Sequence, residues 1–104
     1  MKFFQNRLPT VETSTKQYIV YKDIAFTEDI TLEVMKDLGT SISQGFIIND
    51  GGNTFEIAFK QEEGKTFGMT FPIYAGENFN LSGMNIIAIR IIHSNNSKYR
   101  CMVT

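Results

Sequence analysis

Residues 54–71 write one short pattern twice. Thr54-Phe55-Glu56-Ile57-Ala58-Phe59 is followed, twelve positions later, by Thr66-Phe67-Gly68-Met69-Thr70-Phe71. In each copy a large apolar residue occupies every second position, and the residues between are small or polar. Strand side chains alternate between the two faces of a sheet, so each copy is expected to form a strand with one buried face and one wet face. The connecting Lys60-Gln61-Glu62-Glu63-Gly64-Lys65 is charged and contains a glycine, so the pair reads as a β-hairpin.

The remainder of the chain keeps the same period. Tyr18, Val20, Ile24 and Phe26 share one parity and Ile19 and Tyr21 the other, which predicts a strand apolar on both faces in its first half. Ile30, Leu32 and Val34 alternate with Thr31, Glu33 and Met35. Gly45-Phe46-Ile47-Ile48 is a short apolar strand that stops at Asn49-Asp50-Gly51-Gly52-Asn53, where the Asp-Gly pair is a hairpin signal because tight primed turns need positive φ. Pro72 either ends the second repeat strand or places it at a sheet edge. Tyr74-Ala75-Gly76-Glu77 is a turn before a short strand at residues 78–81. Met84 to Ile92 is the most apolar run, with Ile87, Ile89 and Ile91 on one face and Ile86, Ala88, Arg90 and Ile92 on the other. Arg90 there requires a carboxylate or an exit to water. A last strand runs from Lys98 to Val103 with Tyr99, Cys101 and Val103 on one side. About eight short strands with turn signals every 8–12 residues predict an all-β fold, a single antiparallel β-sandwich of the jelly-roll kind. Residues 33–38 allow one helical turn and no more.

Composition agrees. The apolar set is rich in β-formers, with nine Phe and four Tyr, and 42% of the chain is hydrophobic. A length of 104 residues is that of one domain, divided here into a polar N-terminal arm, residues 1–16, and a sandwich, residues 17–104. The arm holds too little apolar surface to offset its own ordering entropy, and reads either as a frayed terminus or as an extended segment that orders against a neighbour.

Several functions lose their footing on the same residues. The net charge of −1 with interleaved signs gives no basic stripe for nucleic acid. No segment reaches the roughly 20 apolar residues of a membrane span, and Gln5-Asn6-Arg7 interrupts the signal-like start Lys2-Phe3-Phe4, so a soluble, cytoplasmically made protein is expected. Asn80-Leu81-Ser82 and Asn95-Asn96-Ser97 then match the glycosylation pattern by chance. One His and one Cys cannot build a zinc site within the chain. Asn49, Asp50 and Asn53 offer oxygens to calcium, but turn geometry explains them better. Cys101 and His93 flank one loop as a possible dyad, yet Cys101 shares its parity with Tyr99 and Val103 and reads as a buried inert thiol. Glu33 and Glu56 fall on outward strand positions rather than across a cleft, and Gly51-Gly52 lacks the residues of a phosphate loop. No catalytic, cofactor-binding or metal-binding residue is assigned, and no cofactor. Tyr18, Tyr21, Tyr74 and Tyr99 could together make a sugar-stacking platform, an alternative reading as a carbohydrate-binding module for host-surface glycans.

The stretch Tyr74-Ala75-Gly76-Glu77-Asn78-Phe79-Asn80-Leu81-Ser82-Gly83-Met84-Asn85-Ile86-Ile87-Ala88-Ile89-Arg90-Ile91 resembles a cadence of small β-sandwich virion proteins of tailed bacteriophages. Asp37-Leu38-Gly39 and Gly45-Phe46-Ile47-Ile48-Asn49-Asp50-Gly51-Gly52 look like its companion part. The resemblance covers about residues 30 to 103 and brings no functional residues with it. It implies a non-enzymatic virion structural protein: an auxiliary capsid or decoration protein, a head-fibre base or a tail component. Such a protein would assemble as a homo-oligomer on the major capsid or other virion proteins.

Overall fold

The computed structural model describes residues 10–13, 18–26, 28–92 and 97–104. Those residues form nine strands and one short helix in two antiparallel sheets. The first sheet runs β1 (Thr10–Thr13), β2 (Ile19–Phe26), β9 (Ser97–Val103), β4 (Gly45–Asn49) and β7 (Asn78–Asn80). The second runs β3 (Ile30–Leu32), β8 (Ala88–Ile92), β5 (Phe55–Lys60) and β6 (Phe71–Ile73). From β2 onward the chain changes sheet at every connection except β5 to β6. That alternation is a jelly roll, two Greek keys wound together. The all-β sandwich read from the sequence is the fold of the protein.

The alternating residues explain why the sheets face each other. Tyr21 of β2, Ile47 of β4, and Tyr99, Cys101 and Val103 of β9 point inward from the first sheet, all fully buried. Leu32, Ile57, Ile73, Ile89 and Ile91 meet them from the second. Each such aliphatic side chain contributes about 1.5–3 kcal/mol by leaving water. At Gly45 the two central strands approach so closely that a Cβ would stand 2.4 Å from the Met102 carbonyl oxygen, which is why the first residue of β4 has no side chain.

The helical turn is α1 (Val34–Leu38). Gly39 ends it with φ 85°, donating its N–H to the Met35 carbonyl at 2.8 Å. Part of the predicted arm, Thr10–Thr13, is a strand paired with β2 of the same chain; the rest of residues 1–16 lies outside the described residues.

Three local expectations need correction. Asp50-Gly51 does not turn a hairpin: β4 pairs with β7 and β9, whereas β5 pairs with β6 and β8, so residues 50–54 carry the chain from one sheet to the other. The cause is Asn49. Its buried amide donates to the carbonyls of Asn53 and Ile73, both at 2.8 Å, and its Oδ1 accepts the Gly51 N–H at 3.0 Å. These bonds turn the corner and pin it to the end of β6.

The second copy of the repeated pattern is mostly not a strand. β5 and β6 do pair antiparallel, with Phe55 opposite Ile73 and Ile57 opposite Phe71. Continuing that register would set Phe59 opposite Met69. Instead the Gly68 N–H bonds the Phe59 carbonyl at 2.9 Å, a slip of one residue. Such a slip sends alternate side chains to the wrong face. Phe67 lands on the outer surface and Met69 is 91% exposed. Pro72 sits in β6, an edge strand, where its missing N–H costs no ladder bond.

The Ile-rich run forms a shorter strand than its parity suggests. Only Ala88–Ile92 joins the sheet, because Asn85 takes φ 54° and breaks the extended backbone. Ile86 and Ile87, just before β8, are both buried, as a run apolar on both faces predicts, and the Ile86 carbonyl accepts the Ile42 N–H at 2.9 Å. Arg90 takes the exit to water.

Candidate functional site

The space between the sheets is occupied, among the described residues, by packed apolar side chains. Among the described residues, no group of three or more His, Cys, Asp and Glu is placed to hold a metal ion. Cys101 is fully buried among Tyr21, Ile47 and the rest of the core, and burial pushes its thiol far above the ordinary range, so it stays protonated. His93, the other half of the possible dyad, lies outside the described residues. Glu33 follows β3 and Glu56 faces outward from β5; both are exposed.

The side-chain oxygens of Asn49 and Asp50 are engaged by the protein itself. Both amide protons of Asn49 and its oxygen are used at the corner. Asp50 accepts two hydrogen bonds from Arg100, at 2.5 Å from Nε and 3.2 Å from the guanidinium terminus. This bidentate pair joins the corner to the outer face of β9 and raises the pKa of Arg100.

The four tyrosines do not form one platform. Tyr21 and Tyr99 are fully buried, Tyr18 is half-buried, and Tyr74 is 60% exposed on the turn before β7. That turn is held by the Glu77 N–H on the Tyr74 carbonyl and by the Tyr74 N–H on the Glu77 carboxylate, both at 2.9 Å. Tyr21 donates its hydroxyl to Asp37 at 2.6 Å; desolvation first, then that carboxylate, raises its pKa well above normal.

The outer faces of the two sheets offer two candidate binding surfaces among the described residues. On the first sheet, the register places Val20 and Phe46 on either side of Met102. All three are half-buried and border a shallow cleft of about 200 Å³. In the next row Lys22, Arg100 and Ile48 stand side by side. This arrangement is an apolar row edged by cations. The edge strands β3, β6 and β7 are three residues each and offer short lengths of unpaired backbone.

The outer face of the second sheet differs. Arg90 of β8 lies beside Ala58 of β5, with Lys60 one row along. The Phe67 ring covers them, 4.9 Å from the Arg90 guanidinium and 5.9 Å from the Lys60 ammonium. Sequence reasoning missed this groove because Phe67 repeats the position of the buried Phe55. The requirement that Arg90 leave the core was its one visible sign.

No protein-family model matches the chain, and no curated protein matches it. Among solved structures it is similar to a cupin-2 domain-containing protein from Shewanella frigidimarina, with a TM-score of 0.52, 16% sequence identity, and coverage of 96% of this chain and 82% of that one. At that identity the likeness concerns the fold alone, a jelly roll.

Proposed function

We propose that this chain is a non-enzymatic virion structural protein that works by docking. It assembles as a homo-oligomer and attaches to a larger particle as an auxiliary capsid, head-fibre or tail component, after synthesis in the host cytoplasm. The observation that carries the non-enzymatic reading is the filled interior: Tyr21, Tyr99, Ile47, Ile57 and Ile89 are fully buried where a jelly roll could otherwise enclose a ligand. The virion assignment is supported by the sequence cadence of residues 74–91, and assembly by the half-buried row of Val20, Met102 and Phe46. In a symmetric particle, many weak contacts of this kind add up to firm attachment.

Light scattering at rising protein concentration tests assembly, and co-sedimentation with particles from the source tests attachment. A protein that stays monomeric and fails to sediment with any particle contradicts the proposal. A glycan-binding reading draws support from a different surface, the outer face of the second sheet, where Phe67 stands among cations.

A further inference from the structure

The groove between the loop of residues 61–70 and the outer face of β5 and β8 has a volume of about 420 Å³. Three cations border it: Lys60, Lys65 and Arg90. No carboxylate among the described residues makes an ion pair with any of them. Its floor is Ala58, whose small side chain keeps the sheet surface low and flat, and its wall is the Phe67 ring. Thr66 and Thr70 line the same space. The Gly68 N–H bond to the Phe59 carbonyl, at 2.9 Å, ties the loop to β5 beside the groove.

We propose that this groove binds an acidic saccharide, a sugar carrying a carboxylate or a sulfate. The anion sits between Arg90, Lys60 and Lys65. Arg90 supplies a planar fork matched to two oxygens of either group, and the lysines supply point charge. The apolar face of the sugar ring lies on Ala58 and against Phe67, while the threonine hydroxyls meet ring hydroxyls.

Register sets a direction. Glu56, opposite Ile92, faces out one row beyond Ala58, away from Lys60. The strand surface thus runs from an acceptor of sugar hydroxyls to a cluster of cationic donors, which sets the saccharide's anion at the Lys60 end. This inference rests on the glycan-binding reading of the surface and is independent of particle assembly.

Calorimetry and NMR titration of the intact protein test it with four probes: a galacturonate tetrasaccharide, a sulfated disaccharide, neutral maltotetraose and inorganic phosphate. One or both acidic saccharides are expected to bind saturably, with shifts confined to residues 58–70 and 88–92. Which of the two binds identifies the anion. Replacing Arg90 by Ala should weaken binding about tenfold or more, as losing a charge-assisted hydrogen bond does. Lys65→Ala, on the exposed loop, should weaken it in the same direction without touching a strand. Raising salt from about 0.05 to 0.5 M should also weaken it, because the charges are at the surface. Equal binding of maltotetraose, phosphate binding as tight as the saccharides, absence of saturable binding by either acidic sugar, or unchanged affinity in both variants would each overturn the proposal. None of these outcomes bears on oligomer mass, so failure here and failure of the docking reading are separable.

Discussion

The Tyr21 hydroxyl donates a 2.6 Å hydrogen bond to the Asp37 carboxylate, linking β2 in the first sheet to the helical turn that follows β3 in the second. Tyr21 is fully buried, while Asp37 reaches solvent. The two ends of this bond are therefore unequal. Asp37→Ala strands a buried hydroxyl without an acceptor and should cost about 1–3 kcal/mol; Tyr21→Phe leaves a carboxylate that water can solvate and should cost about 1 kcal/mol. Urea denaturation of the two variants and their double mutant checks the order. A larger loss in Tyr21→Phe than in Asp37→Ala would contradict it.

Alkaline pH should unfold the protein through Tyr21 and Cys101. Burial raises the pKa of both groups in the folded state. Unfolded, they lose their protons at about pH 8.5 for the thiol and about pH 10 for the phenol. Above those values the folded chain holds more protons than the unfolded one, so stability falls as pH rises, by up to about 1.4 kcal/mol per pH unit for each group. Below pH 8 neither contributes a slope. Thermal melts from pH 7 to 11 should show the decline, and Cys101→Ala should flatten its onset near pH 9 even though the variant is less stable overall.

Asn49→Ala should be among the most damaging polar substitutions in the chain. It removes the donor to Asn53 and Ile73 and the acceptor for Gly51 at a buried corner. A loss of about 2–4 kcal/mol is expected, since buried backbone groups are left unpaired. Asn49→Asp should not rescue it, because a carboxylate accepts from Gly51 but cannot donate to the two carbonyls. Chemical denaturation of both variants measures this.

How far the fold was legible in the sequence depends on which interaction decided each part. Period-two alternation fixed β9 well: Tyr99, Cys101 and Val103 share a face and all three are buried. The single helical turn before Gly39 was also readable. Alternation says nothing about which strands are neighbours, however, so the Asp50-Gly51 corner looked like a hairpin until Asn49 showed its side-chain bonds. The candidate surfaces were less visible still. Val20, Phe46 and Met102 are distant in sequence and meet only through the pairing of β2, β9 and β4. Phe67 faces outward because of a one-residue slip at Gly68, and a slip leaves no mark on spacing.

The outer face of the first sheet can be tested by charge. Phe46 is half-buried on that face, beside Met102, and points away from the core. Phe46→Glu should leave the melting temperature within a few degrees of wild type, because surface substitutions change stability by about 0.5 kcal/mol. It should disperse any oligomer built on that face.

Mass in solution is the most direct check on the proposal that this protein acts through its outer surface. Light scattering of the wild type and Phe46→Glu at matched, rising concentrations should give a discrete oligomer for the first and a folded monomer for the second. A wild type that remains monomeric at the highest concentration, with the same mass as the variant throughout, would contradict the central claim.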